Sequence, residues 1–431
     1  MKSYSLALIV SFLALQSSLA QDSLTVGSAV RYVLAHHPAV AQATANAQAA
    51  EARVQTSTSA LYPDVTTQAL YTRIGPVPEL SVPFLGSFKL YPENNYDIHL
   101  GGRYTVYDFG KVNATINLNS SRAQLAQDAI EATKTGLTYQ TIRVFYSILF
   151  LEKSIQVQNE QIDALNQHLV ITQKKVAAGT ATSFEVLTTQ VRVAAAENQK
   201  IELQNVLEKQ QAIMRQLMGL PGDAPLPLSG DFEGLLVVAS KDSLLQAAYN
   251  QRTDMRLARD AQQSAELQYK LSSLGKMPSL RLNLNYGVKN GYIPDLNVWR
   301  GNWVAGVMVE YPLYDGGRTE HQEEESQAMI MAEQSHLQGV EQQIRSDVDQ
   351  AYADLQAASA KVPISQLQVQ HAADAVTIAR TRYETGSITN LDLLDAETAL
   401  SAAKLAHLQA LYRLVLSKYE VEQAIGVTPF E

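Results

Sequence analysis

The chain has 431 residues, a formal net charge of −9 and no cysteine. The missing thiols exclude a disulfide framework, a thiolate metal site, a cysteine nucleophile and a lipid-modified N-terminal cysteine. The acidic balance, with no basic stripe of interleaved aromatics, excludes a general nucleic-acid binder.

Lys2 precedes an apolar run from Leu6 to Leu15, then Gln16-Ser17-Ser18, with Ser18-Leu19-Ala20 as a small-x-small site before Gln21. This order predicts a cleaved secretory signal peptide over residues 1–20. A membrane anchor would need about 20 apolar residues, more than this run holds. No later segment is apolar enough for a transmembrane helix, so the exported protein is either soluble or inserts as strands.

Landmarks then recur at constant offset. Pro38 to Pro63 spans 25 residues, as does Thr253 to Pro278. Tyr107-Asp108-Phe109-Gly110-Lys111 answers Tyr314-Asp315-Gly316-Gly317-Arg318. Asp108 to Gly179 and Asp315 to Gly386 are both 71 residues, and Gly179 to Gly219 and Gly386 to Gly426 are both 40. Only the Pro-to-Asp segment differs, 45 against 37, as a variable loop between paired strands would. The chain is a tandem duplication: a first repeat over 21–219, an irregular connector over 220–242 and a second repeat over 243–431.

Each repeat reads as helix, strand, loop, strand, long helix, tip and returning helix. The helix from Lys111 to Ala178 should reach about 100 Å at 1.5 Å per residue. Its apolar residues recur in sevens: Ile130, Leu137, Val144 and Leu151, then Ile148, Ile155, Ile162, Leu169 and Val176. Adding 207 gives Leu337, Ile344, Ala351 and Ala358, then Leu355, Val362, Val369, Val376 and Tyr383. A sustained seven-residue seam predicts left-handed coiling against a neighbouring helix. Pro363 lies inside the second long helix and predicts a kink near the preceding turn. Gly179-Thr180 and Gly386-Ser387 mark the tips, followed by caps and by first-turn acids of the returning helices.

Four segments alternate as strands, over 65–73, 98–107, 280–288 and 303–313. Leu280, Leu282, Leu284, Tyr286 and Val288 alternate with Arg281, Asn283, Asn285, Gly287 and Lys289. Segments of about 9–11 residues with one apolar face suit a transmembrane barrel, and Tyr and Trp beside them suit its girdles. A soluble sheet with one wet face gives the same alternation. In lipid, open edges are forbidden and four strands do not close, so several chains would have to pool their strands.

The duplication, the Tyr-Asp-x-Gly-Lys/Arg motif after the second strand of each pair, and Gly386-Ser387-Ile388-Thr389-Asn390-Leu391-Asp392-Leu393-Leu394-Asp395-Ala396-Glu397 together resemble the TolC-like outer membrane efflux protein family. The resemblance covers essentially all of the mature chain. It implies an α+β membrane protein: a tandem-repeat protomer giving four strands to an oligomeric outer-membrane β-barrel, continued by a long periplasmic α-helical coiled-coil barrel. It further implies a homotrimer with twelve barrel strands, a periplasmic adaptor (membrane fusion) protein and an inner-membrane transporter that supplies the energy. The function implied is a passive exit duct for efflux or secretion, gated at the periplasmic tips.

By position, Gly179, Thr180, Gly386 and Ser387 would meet the adaptor. Glu185 and Tyr383, with Arg382 or Arg380 as a cation, would form the periplasmic gate. Asp392 and Asp395 would ring the entrance, and a packed carboxylate ring attracts cations and raises its own pKa values. The pattern departs from the family at Ile388, where a basic residue is found, and at Glu185, which replaces Asp. Each residue also has a plainer reading. Tyr383 fits the seam, and Asp392 and Asp395 stabilise a helix N-terminus. Glu323-Glu324-Glu325 reads as a solvated face, and His36-His37 lacks a ligand set. No nucleophile elbow, phosphate loop or zinc signature is present, so no enzyme, cofactor or metal is expected. The rival function is a non-conducting periplasmic coiled-coil scaffold; a general porin is disfavoured by the long helices.

Overall fold

The computed structural model describes residues 23–84, 86–232 and 240–430. The signal-peptide segment 1–20, and part of the connector, lie outside the described residues.

The duplication is visible element by element. Helices α1 (Val26–His36) and α2 (Pro38–Thr58) lead through a 3-10 turn to strand β1 (Asp64–Arg73). A small hairpin, β2 (Glu79–Val82) and β3 (Gly86–Lys89), precedes β4 (Asn94–Tyr107), α3 (Lys111–Ala177) and α4 (Ser183–Met218). The second copy comprises α5 (Lys241–Gln251), α6 (Thr253–Ser273), β5 (Ser279–Lys289), β6 (Arg300–Glu310), α7 (Arg318–Glu384) and α8 (Asn390–Ala424). The long helices α3 and α7 have 67 residues each.

The repeated Asp motif has a local cause. Asp108 accepts from the N–H groups of Gly110 (2.9 Å) and Val112 (2.7 Å), so its carboxylate takes two donors that α3 leaves orphaned. Asp315 does the same for Gly317 (3.1 Å) and Thr319 (3.0 Å) at the start of α7. The tips repeat as well. Gly179 and Gly386 both have φ +75, a backbone region that glycine enters without penalty. Thr180 N–H reaches Lys175 C=O at 2.9 Å, and Ser387 N–H reaches Arg382 C=O at 2.8 Å, closing each long helix with the same crossed bond.

The chain divides into two compact units: Met1–Ala43 with Ile130–Met255 and Val340–Glu431, and Thr44–Ala129 with Arg256–Gly339. The second holds an antiparallel sheet in the order β1-β4-β5-β6. Its register aligns Ile98 with Val288, Leu100 with Tyr286 and Tyr104 with Leu282, then Leu282 with Val307 and Tyr286 with Trp303. One face of β4, β5 and β6 is therefore apolar and exposed, with Thr67 of β1 beside it; Trp303 is 71% and Val307 68% accessible. The other carries Asp64 paired with Arg103 (3.0 Å) and Arg281 paired with Glu310 (3.1 Å). At Gly287 an added Cβ would fall 2.2 Å from the Ile98 carbonyl oxygen, so only glycine allows β4 and β5 to approach there. Aromatics gather at both sheet ends: Tyr71, Tyr96 and Trp299 at one, with neighbouring rings 5.1 and 5.4 Å apart, and Tyr107 and Phe109 at the other, 4.8 Å apart. Among the described residues no helix is long and apolar enough to cross a membrane.

In the first unit, Ala29, Val30 and Val33 of α1 pack on Ile142, Phe145 and Ile148 of α3, Met214 of α4 and Leu416 of α8. Burying Phe145 contributes roughly 2–3 kcal/mol. The seven-residue seam is buried at Ile130, Leu137, Val144 and Leu151 and continues in step through Gln158, Leu165 and Thr172. The equivalent seam of α7 is buried at Ile344, Ala351 and Ala358, then at Ser365. Helix α7 runs on through Pro363 without interruption. Nearby, the Ser365 hydroxyl lies 2.9 Å from the Val362 carbonyl and 3.0 Å from His407 Nδ1.

Candidate functional site: the hairpin tips

The ends of α3 and α7 and the starts of α4 and α8 meet in the first unit. Both returning helices open with a capping pair. Thr182 N–H donates to Glu185 at 3.2 Å. Thr389 N–H donates to Asp392 at 2.9 Å, and Asp392 N–H returns to Thr389 Oγ1 at 3.2 Å. Glu185 and Asp392 thus hold equivalent places, 207 residues apart. Thr389 is the cap of α8, and Asn390 is its first residue.

Asp392 is fully exposed, and hydrogen bonds from the Thr389 hydroxyl and backbone hold its carboxyl below the usual range. Within one chain this runs opposite to the rise expected of a packed ring. Asp395 pairs with Arg192 of α4 at 3.0 Å, which neutralises part of the acidity at this end. Arg380 pairs with the buried Glu397 at 3.3 Å. Arg382 offers its carbonyl to Ser387 N–H and, at 3.0 Å, to the Thr385 hydroxyl.

Tyr383 is buried at 5% accessibility, and its hydroxyl lies beside Thr172 and Glu185 without meeting either in good hydrogen-bond geometry. Burial pushes the phenol pKa up. The cation at Tyr383 is Lys175. Its Nζ donates to the Tyr383 carbonyl at 2.8 Å and stands 3.8 Å from the ring centroid. On the same ring His168 packs edge-on at 5.0 Å. His168 Nε2 lies 2.5 Å from Asn390 Oδ1, and Asn390 Nδ2 lies 3.4–3.5 Å from Glu185 C=O and the Thr188 and Thr189 hydroxyls.

The structure therefore brings Glu185, Tyr383 and Asn390 into one junction and leaves Gly179, Thr180, Gly386 and Ser387 exposed at the tips. Lys175, His168, Arg192 and the central place of Asn390 were not anticipated from sequence. One signal was available. At an offset of 207, Lys175 answers Arg382, His168 answers Ala375 and Asn390 answers Ser183, so the junction is built where the copies differ. Beside it lies an open groove of about 490 Å³ lined by Lys175, Phe184, Tyr383, Ile388 and Leu391.

Residues 29–220 and 244–427 match the family model described as outer membrane efflux protein. Among relatives, the outer membrane protein TolC of Vibrio cholerae is 22% identical over 317 residues, 72% of either chain. The alkaline protease secretion protein AprF of Pseudomonas aeruginosa is 26% identical over 295 residues, 66% of this chain and 60% of its own. Among solved structures, the outer membrane protein VceC of Vibrio cholerae superposes with a TM-score of 0.80 at 20% identity, covering 94% of this chain and 97% of VceC. The outer-membrane channel OprN superposes at 0.82 with 16% identity, covering 94% and 90%. By name these relatives are outer membrane, channel and secretion proteins. With both repeats matched and the strand-bearing fold shared throughout, the chain belongs to the outer membrane efflux protein family and is an outer-membrane channel for efflux or secretion.

Proposed function

We propose that the channel works as a homotrimer, a passive exit duct fed by an inner-membrane transporter through a periplasmic adaptor and gated at its hairpin tips. The observation that carries this reading is the sheet: one apolar face, two aromatic ends, and β1 and β6 each with one edge unpaired. Unpaired edges are untenable in lipid, so β6 of one copy pairs with β1 of the next until the barrel closes; three copies give twelve strands. The repeats, 21–219 and 243–431 around the connector 220–242, each supply two strands and one hairpin.

In this reading Gly179, Thr180, Gly386 and Ser387 meet the adaptor, and Glu185, Tyr383 and Arg382 belong to the gate. Asp392 and Asp395 form the acidic entrance, which favours cations electrostatically. Single-channel conductance of the purified protein in planar bilayers tests it. The variant is Asp392→Asn with Asp395→Asn, because asparagine keeps a capping oxygen at the start of α8 while removing the charge. Small cation-selective openings that lose selectivity in the variant support both duct and entrance. Unchanged selectivity removes the two acids from the entrance. Folded protein that never inserts turns the reading to a periplasmic scaffold.

A further inference from the structure

We propose that Lys175 is the cation that latches the two hairpin tips of this chain together at rest, gripping Tyr383 by its carbonyl and its ring rather than by its hydroxyl. The proposal rests on the reading of the tips as the gate.

Lys175 lies in the last turn of α3, at the end of the first repeat's hairpin, and Tyr383 in the last turn of α7, at the end of the second's. The ammonium donates to the Tyr383 carbonyl at 2.8 Å. That carbonyl is among the last of α7, where the aligned peptide dipoles leave partial negative charge. It also accepts from Gly386 N–H at 3.1 Å, so its second lone pair is free for the lysine. The same ammonium sits 3.8 Å above the ring, where the quadrupole attracts it. Lys175 is half-buried, and among the described residues no carboxylate lies within ion-pair distance of it. Its charge is therefore compensated by the Tyr383 peptide and ring.

Three further observations isolate the pair. The Tyr383 hydroxyl is buried beside Thr172 and Glu185 but meets neither in good hydrogen-bond geometry, so the carbonyl and the ring make the closer contacts to the other hairpin. His168 packs against the ring at 5.0 Å, and Tyr383 leaves both neighbours if α7 moves away from α3. Arg380 is committed to Glu397 and Ile388 offers no charge, while the cation that lies against the Tyr383 ring and carbonyl is Lys175 of the other hairpin. The contact is also single in the chain: at an offset of 207 Tyr383 is answered by Val176, which has no ring to grip.

The test compares wild type with Lys175→Met, Lys175→Arg, Tyr383→Phe and Tyr383→Leu, each as purified full-length protein in planar bilayers. Lys175→Met, which loses both the charge-assisted hydrogen bond and the cation–π contact, should raise the time-averaged resting conductance at least about thirtyfold, and Tyr383→Leu, which keeps the carbonyl and loses only the ring, about two- to fivefold. Lys175→Arg and Tyr383→Phe should stay within about twofold of wild type, since a cation and a ring are retained. Combining Lys175→Met with Tyr383→Leu should add little to Lys175→Met alone. Lys175→Gln is the second neutral variant should Lys175→Met fail to assemble, and melting temperature checks the fold of each. If Tyr383→Leu opens the channel and both neutral Lys175 variants do not, the tips gate but Lys175 is no latch. If Tyr383→Phe opens it as widely as Lys175→Met, the hydroxyl matters and the proposal fails. If no variant changes conductance, the gate reading falls and takes the latch with it.

Discussion

Asn390 carries more of the tip junction than any charged residue there. It is 6% accessible, and its amide faces His168 on one side and Glu185, Thr188 and Thr189 on the other. Asn390→Ala would leave the buried His168 Nε2 with only the Thr172 hydroxyl at 3.4 Å, at a local cost of about 0.5–1.5 kcal/mol. Hydrogen exchange should quicken across both tips and stay slow around Phe145; unchanged protection at the tips would show that Asn390 is not the keystone. A second residue-scale expectation concerns Glu422, whose carboxyl is pushed up by burial, with Lys418 a smaller opposing influence. With the folded-state pKa above the unfolded value, the folded chain binds the proton more tightly. Stability then falls as pH rises between the two values and stays lower above them. Glu422→Gln should therefore melt higher than wild type at pH 7, with the gain vanishing near pH 4; a gain independent of pH would rule out this account. Tyr383 stood out in the sequence because it completes a row of sevens. His168, Lys175 and Arg192 did not, because a side chain's role here depends on what another helix places opposite it.

At the scale of elements, the tips and helix starts follow from local chemistry and were legible for that reason. Glycine at 179 and 386 reverses the chain, a Thr–acid pair caps each return, and an Asp opens each long helix. An added Cβ at Gly386 meets nothing within 4 Å, so any cost of Gly386→Ala comes from its φ of +75 alone. That substitution should destabilise by about 1–2 kcal/mol, read as a lower denaturant midpoint with an unchanged slope. No loss of stability would mean that the tip relaxes out of the left-handed region. Pro363 lies inside α7, whose 67 residues continue past it. One element ran against expectation. The hairpin of β2 and β3 lies inside what read only as a variable loop, since two strands of four residues leave too short a pattern to detect.

For the whole molecule, the sheet faces give a direct test of membrane insertion. Val304 and Ala305 are neighbours on β6, but Ala305 stands opposite Leu284 on the apolar face and Val304 opposite Asn285 on the polar one. Ala305→Arg should cost about 2–4 kcal/mol of insertion if it lies near the bilayer midplane, whereas Val304→Arg faces the lumen. Carbonate extraction of the membrane fraction should release the first variant and retain the second. Equal retention of both would contradict the assignment of faces.

The sequence by itself determined the duplication, the helical tips, the long seams and the alternation of the strands, because periods of 7 and 2 and fixed offsets are local properties of the chain. It determined too that one sheet face is apolar. Only the tertiary structure decided that β4 pairs with β5, joining the two repeats into the order β1-β4-β5-β6 and leaving β1 and β6 as the edges. Only it decided that Lys175 meets Tyr383, with Arg380 held by Glu397. Periodicity says which face of an element is buried, and is silent on which partner covers it. That choice is made by contacts between residues about two hundred positions apart or more, whose energies exist only once the hairpins have come together.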